Sequence, residues 1–234
     1  MTTLTSTSRT ETRVAVTRCG AGQRVRVDLD ARCDDGFPSI RPMLLASDTD
    51  SARISLVPEG ALLLDGDAVS LHVSVGAGTT LTLIEPAGTV AYDMRGGCAT
   101  WDVSIDLAAG ARLVWHSEPF VASAGSRTTW TTRITLGEGA RLSLRETVVL
   151  GRHGEVPGSL RHEVHARRED GTPVFADGLD VGPATSSVLL GGNRVINSLF
   201  VIGEDAPASA GTRFELEDGG VLLRAMAREV HQLR

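Results

Sequence analysis

The chain of 234 residues is long enough for one large domain or two small ones with a buried core. Its formal net charge of −6 argues against a general nucleic-acid binder, and no apolar run approaches the ~18 residues of a membrane-spanning helix. The sequence contains no lysine, so its 23 basic residues are all arginine, which excludes Schiff-base and P-loop lysine chemistry.

The N-terminal residues are polar and rich in threonine and serine, and we expect residues 1–12 to form a loose tail. A single β domain is predicted over residues 13–234. No N-terminal apolar segment has the character of a secretion signal. Cys19, Cys33 and Cys98 lack a C-x-x-C spacing and are expected to be buried thiols. These features predict a cytoplasmic protein in a reducing compartment.

Alternation of apolar and polar residues predicts several short strands before residue 60. The clearest are Arg24–Leu29, Ser39–Leu45 and Arg53–Val57. From there the chain becomes repetitive.

Three segments can be aligned with one another: Leu71–Glu85, Trp101–Glu118 and Trp130–Glu146. Each contains a strand, a short turn that ends in glycine, and a second strand. The turn glycines are Gly78, Gly110 and Gly139. A strand-containing repeat of about 30 residues predicts an all-β protein of stacked layers, a β-helix-like solenoid. The same pattern also fits successive hairpins of a β-sandwich, and the sequence leaves that choice open.

The C-terminal third shows a looser pattern. The nearly continuous apolar run Val195–Gly203 is either a fully buried strand or a short core helix. Val221–Leu233 contains good helix formers with apolar residues on one helical face, which predicts a C-terminal amphipathic helix.

An acidic residue follows each turn glycine at nearly the same distance. Glu85 and Glu146 each come seven residues after their glycine (78 to 85, 139 to 146), and Glu118 comes eight after its own (110 to 118). Glu85 and Glu146 have the parity of the apolar residues before them, whereas Glu118 needs a one-residue bulge to match. Stacking would bring the three carboxylates together near the interior. They could then form a polar channel or a weak path for a hard or borderline cation. Alternatively, each glutamate caps a loop or reaches solvent.

Recognised catalytic motifs are absent. The chain has no G-x-S-x-G elbow, G-x-G-x-x-G or Walker A loop. His162 and His165 are one residue too close for a zincin motif, and on a strand they face opposite sides. Two of the acids could serve glycoside hydrolysis in a β-helical carbohydrate-active enzyme. Aromatic residues for sugar stacking are sparse, at 4%. A purely structural β-repeat interaction domain is a third interpretation.

After Leu150 the chain enters a glycine-rich turn that contains Gly151, Arg152, Gly154, Glu155 and Gly158. This order of Leu-Gly-Arg, Gly-Glu and a later Gly resembles the turn of the UreD (UreH) family of urease accessory proteins. Family-like features upstream are Gly66, Asp67, Tyr92, Ala111, Leu113 and Trp115. The chain departs from the family at Val114, where a glutamate is usual, and at His116-Ser117, where Leu-Pro is usual.

The resemblance implies a non-catalytic, stacked all-β scaffold. It implies binding to the accessory protein UreF, through UreF to the GTPase UreG, and to the urease apoenzyme. No cofactor would be stably bound; nickel would pass transiently, through an internal polar tunnel. We expect this metal path to be lined by Asp67, Glu85, Glu118 and Glu146. The Gly151–Gly158 turn is expected to be structural, with Arg152 and Glu155 forming a buried ion pair. No nucleic acid or membrane is expected as a partner.

Overall fold

The computed structural model describes residues 8–33, 39–208 and 211–233, which form two facing β-sheets. The first sheet has the order β14-β13-β11-β8-β5-β1-β2. Its strands are β1 (Arg9–Thr17), β2 (Arg26–Cys33), β5 (Ala68–Val75), β8 (Ala99–Leu107), β11 (Arg127–Leu136), β13 (Ser159–Arg168) and β14 (Pro173–Val181).

The second sheet has the order β16-β17-β15-β12-β9-β6-β4-β3, and the short strands β7 and β10 extend it beside β12. Its strands are β3 (Ile40–Ser47), β4 (Ser51–Pro58), β6 (Thr80–Ile84), β7 (Thr89–Ala91), β9 (Arg112–His116), β10 (Phe120–Ala122), β12 (Arg141–Leu150), β15 (Val195–Ile202), β16 (Thr212–Glu215) and β17 (Val221–Ala227). A short helix α1 (Ser186–Leu190) and a 3-10 helix (Val230–Leu233) complete the described elements.

The sequence repeats form the coils of a solenoid. In each coil a strand of the first sheet turns a corner and continues as a strand of the second sheet. Equivalent strands of successive coils pair in parallel, as β5 with β8 and β6 with β9. The two strands of one repeat lie in different sheets, so the arrangement is the solenoid and not a series of hairpins.

The turn glycines occupy the corners between the sheets. Gly78, Gly110 and Gly139 have φ values of 62°, 65° and 64°, a left-handed conformation that residues with a Cβ adopt at a cost. The corners also stack, because the N–H of Gly78 donates to the carbonyl of Ala109 (3.0 Å) and that of Gly110 to Glu138 (2.8 Å). The repeated glycine therefore sets both the turn and the stacking of the coils.

The core lies between the two sheets. Strands such as β8 alternate between buried and partly exposed residues, so one face of each strand points inward. The inward rows of the first sheet are in register, with Trp101 paired to Trp130 and Trp130 to His162. This register places an aromatic row in the interior, close to the end of the second-sheet strands.

The predicted C-terminal amphipathic helix at Val221–Leu233 is wrong. This segment forms strand β17 followed by the 3-10 helix. β17 pairs with both β15 and β16. Leu222 packs in the main core, while Val221 and Leu223 pack on the other side against Leu199 and Val201. Burial on two faces favours a strand over the helix that local propensity indicated.

Three smaller predictions meet the structure differently. Residues 9–12, assigned to the loose tail, begin β1, whereas residues 1–7 lie outside the described part of the chain. The apolar run for which a buried strand and a short core helix were both considered forms a strand, Val195–Ile202. Cys98 is exposed and the other two cysteines are half-buried, so the prediction of buried thiols is wrong. None of the three forms a disulfide.

The helices that the structure describes are all too short to cross a bilayer.

Candidate functional site

Three carboxylates lie at corresponding places along the second sheet: Glu85 follows β6, Glu118 follows β9, and Glu146 lies within the longer strand β12. Because these strands are parallel neighbours, residues at equivalent positions stack from coil to coil. Glu85, Glu118 and Glu146 all line one cavity of about 20 Å³ between the sheets, here called the acid cavity. Its other walls include the rings of Trp101, Trp115, Trp130 and Phe120. A volume of this size holds about one water molecule.

Glu85 is held by two hydrogen bonds. Its Oε1 accepts from the indole Nε1 of Trp115 (2.8 Å), and its Oε2 accepts from the backbone N–H of Glu118 (3.0 Å). Burial raises the pKa of Glu85 to about 7, and the charges of Glu118 and Glu146 add to this rise, while the two hydrogen bonds oppose it. Glu85 is thus an acid that exchanges its proton near neutral pH.

Glu118 reaches the cavity through a bulge. Pairing between β9 and β12 ends at His116 with Arg145, and it resumes in β10 at Phe120 with Val148. Residues 117–119 therefore lie opposite residues 146–147, one more residue on their side. This is the one-residue excess that the spacing from Gly110 predicted. His116 points the other way, is exposed, and shares a 2.9 Å hydrogen bond between Nε2 and the hydroxyl of Ser143.

Glu146 is the most deeply buried of the three acids, with 4% of its surface exposed. Its Oε1 accepts a 2.8 Å hydrogen bond from the hydroxyl of Thr132, which in turn accepts from the indole Nε1 of Trp130 (3.1 Å). Oε2 of Glu146 lies 3.1 Å from Nε2 of His162. The two atoms are close but lack hydrogen-bond alignment, and neither has a hydrogen-bond partner among the described residues.

A second cavity begins on the other side of Glu146. This histidine cavity, of about 160 Å³, is lined by Glu146, His162, Ser198 and Arg224 at its polar end. Its remaining walls are apolar: Val148, Leu179, Leu189, Leu190, Ile196 and Met226. Arg224 donates both to the hydroxyl of Ser198 and to the carboxylate of Asp177, which joins the second sheet to the first. Glu146 borders both cavities.

Asp67 does not line either cavity. Its Oδ2 accepts the backbone N–H of Leu64 (2.9 Å), which closes the turn before β5. Burial raises the pKa of Asp67, and hydrogen bonds from the backbone of this turn oppose the rise. The structure thus separates Asp67 from the three glutamates with which the resemblance grouped it.

The glycine-rich turn is built around Glu155. Its carboxylate accepts backbone N–H groups from Arg152 (3.0 Å) and Ala124 (3.4 Å), and the hydrogen bond from Arg152 lowers the pKa of Glu155. Gly151 and Gly154 have positive φ, at 76° and 74°. Gly158 packs so closely that a Cβ there would lie 2.4 Å from the carbonyl oxygen of Ser123. These contacts are those of a structural clamp.

The Arg152–Glu155 ion pair was expected to be buried, and it is not. The Arg152 side chain is 54% exposed and that of Glu155 28%, with 3.1 Å between Nε and Oε1. The backbone hydrogen bonds to Glu155, rather than the ion pair, hold the turn because an exposed pair is screened by water.

Sequence reasoning missed His162. It was weighed only as half of a metalloprotease motif; the structure confirms that His165 is on the opposite, exposed face. The available signal was a fourth repeat: Ser159–Arg168 stacks on β11, and His162 takes the place of Trp130 in the next coil. Its ring packs 4.3 Å from the Trp130 ring, centroid to centroid.

The protein is thus a two-sheet β-solenoid with carboxylates from successive coils in its interior. Residues 40–234 match the family described as UreD urease accessory protein. The chain belongs to this family, which is one of accessory proteins and not of enzymes. The carbohydrate-active enzyme considered from the sequence is therefore wrong, and the acid cavity is too small for a sugar ring.

Individual relatives agree with the family match. The chain is 41% identical over 197 residues to urease accessory protein UreD 1 of Streptomyces griseus, covering 83% of this chain and 75% of the relative. Identity to the UreD of Frankia casuarinae is 37% over 192 residues, covering 76% of this chain and 60% of the relative. UreD 3 of Streptomyces griseus is 30% identical over 240 residues and is covered to 92%.

Proposed function

We propose that this chain is a scaffold for urease maturation that passes nickel through the space between its two sheets. The single observation that carries the proposal is the convergence of Glu85, Glu118 and Glu146, from three successive coils, on the acid cavity. Nickel here is cargo. The path would run past these acids and, through Glu146, toward the histidine cavity.

The chemistry of this interior suits transfer better than storage. Carboxylate oxygens bind hard and borderline cations, and a tight site needs several ligands around one point. In the described residues no group of three or more His, Cys, Asp or Glu side chains is placed to hold a metal ion together. Acids that border one cavity without surrounding a single point would instead hold the ion weakly, so that it moves on.

The partners in this proposal come from family membership. The scaffold would bind UreF, and through it the GTPase UreG, and would deliver nickel to the urease apoenzyme. The cysteines fit a reducing cytoplasm because none of the three is paired.

The test is co-expression with a urease operon from which the native gene for this protein is removed. Nickel content and activity of the purified urease are measured with the wild-type chain, with Glu146→Gln and with Glu138→Gln. Glu138 is an exposed corner glutamate and serves as the control. We expect Glu146→Gln to lower nickel content at least severalfold, with pull-down of the partners unchanged. Equal nickel content with and without the chain would refute the proposal.

A second candidate is a β-repeat interaction domain with no metal role. It is favoured by the hydrogen bonds of Glu85, which cap the loop at Glu118 as the simpler interpretation of these acids expected. The double variant Glu85→Gln/Glu146→Gln separates the candidates. Lost nickel transfer with retained partner binding supports the path, and unchanged transfer supports the interaction domain.

A further inference from the structure

His162 and Glu146 face each other inside the protein in an arrangement that a hydrogen bond does not explain. Their side chains are only 7% and 4% exposed, and Nε2 and Oε2 approach to 3.1 Å. Both atoms nevertheless lack a hydrogen-bond partner in the described structure. The distance is that of an ion pair, but the contact leaves both atoms without a hydrogen bond. Buried polar atoms without a hydrogen bond are costly, so their retention in close contact calls for a physical reason.

The separation of the two atoms fits two ligands of one cation. Metal–nitrogen and metal–oxygen bonds of borderline cations are about 2.1 Å long, and two such ligands at a right angle lie about 3.0 Å apart. At a tetrahedral angle they would lie about 3.4 Å apart. The observed 3.1 Å is closer to the right angle of octahedral or square-planar coordination. An imidazole nitrogen with a carboxylate oxygen in such a geometry suits nickel or copper.

The surroundings of the two residues provide space for such an ion and negative charge that would stabilise it. Both residues line the histidine cavity, whose volume of about 160 Å³ can hold several waters to complete a coordination shell. The cation Arg224 at the same end of this cavity is paired with Asp177, which offsets its charge. On the other side of Glu146, the acid cavity adds the carboxylates of Glu85 and Glu118.

We propose that Glu146 and His162 form a two-ligand station for a divalent cation of nickel type, at the junction of the acid cavity and the histidine cavity. This inference rests on the proposed nickel path and adds an imidazole ligand to it. On the acid side the ion has oxygen ligands and space for about one water. On the histidine side it gains a nitrogen ligand and a hydration shell. The station is where the ion exchanges one environment for the other.

The test measures Ni²⁺ binding to the purified, untagged full chain by equilibrium dialysis. The variants are His162→Gln, Glu146→Gln and the control His165→Gln, which alters an exposed histidine on the opposite face of the same strand. We expect binding to weaken at least tenfold in the first two and to stay unchanged in the control. Urea denaturation of each variant shows whether it is folded.

A second measurement on wild-type protein covers the case in which His162→Gln does not fold. With ¹⁵N-histidine labelling, Ni²⁺ should perturb the ring signals of His162 before those of His165. The His165 signals are identified by their loss in the control variant His165→Gln. Perturbation of the exposed histidines alone, or Ni²⁺ binding that His162→Gln leaves intact, would overturn the station.

The outcomes separate this inference from the proposed function. Binding lost with Glu146→Gln but kept with His162→Gln would overturn the station and leave the acidic path standing. Binding lost in both variants, with urease nickel content unaffected, would support the station and refute the transfer role.

Discussion

Replacing Glu85 by glutamine should change how the stability of the protein depends on pH. The pKa of the carboxyl rises from an ordinary 4.5 to about 7 in the folded protein. The folded state therefore retains a proton between these values that the unfolded state has released. Stability falls as pH rises through this window and levels off above the folded pKa. The loss amounts to about 3 kcal/mol at pH 8 and about 1 kcal/mol at pH 5.

Glutamine removes this loss at the cost of one hydrogen bond. Its amide oxygen can still accept from Trp115, but its NH₂ group cannot accept from the backbone N–H of Glu118. That change destabilises by about 1 kcal/mol at every pH. The free energy of unfolding of Glu85→Gln should therefore equal that of the wild type near pH 5 and exceed it by about 2 kcal/mol at pH 8.

Urea denaturation followed by tryptophan fluorescence at pH 5, 6, 7 and 8 measures the difference. The wild type is compared with Glu85→Gln and with the exposed control Glu138→Gln. A difference between wild type and Glu85→Gln that stays constant over this pH range would refute the assignment of a raised pKa to Glu85.

Three further predictions concern the structure around the site. Gly158→Ala should lower the free energy of unfolding by about 3 kcal/mol, measured by thermal unfolding, because its Cβ meets the carbonyl of Ser123. Gly154→Ala has open space around its Cβ but a positive φ, and should lower the same free energy by about 1 kcal/mol. Equal losses in the two variants would contradict the close packing at Gly158. Asp177→Asn should lower the urea-unfolding free energy by about 2 kcal/mol because it leaves the Arg224 charge uncompensated, and Asp180→Asn on the same strand should have a much smaller effect. The ionised Glu155 should stabilise the fold at pH values above the ordinary carboxyl pKa of 4.5, and this stabilisation should disappear as pH falls through the lowered pKa of the folded protein. Glu155→Gln and the wild type should therefore have similar free energies of unfolding in acid. A difference that persists in acid would count against the backbone hydrogen bond from Arg152 to Glu155.

The repeated coils could be predicted because each carries its own evidence. A corner requiring positive φ demands glycine, and a strand with one buried face alternates, so both leave a local mark at Gly78, Gly110 and Gly139. The depth of Glu146 was visible for the same reason. Choosing solenoid over hairpins needed the structure, since either pairing satisfies an alternating strand.

Features that depend on distant partners left no such mark. The segment 221–227 reads locally as helix and becomes a strand because β15 and β16 offer it partners on both edges. His162 became a candidate site residue only because the structure places it against Glu146 of the opposite sheet. Asp67 illustrates the reverse case, where a family motif singled out a residue but said nothing about its surroundings: the residue lies in the turn before β5 and lines neither cavity.

Antiparallel pairing at both ends of the solenoid limits its growth. A stack of parallel coils offers each new edge as a template, much as a fibril does. Here β2 and β3 reverse direction at one end, and β14 and β15 reverse at the other. On the outermost strand β3, Leu45 drops out of the pairing with β4 at a register shift, so an incoming strand finds an irregular edge. In the described fold the parallel coils thus meet antiparallel strands at both ends, which disfavours continuation of the stack by a parallel coil of another molecule.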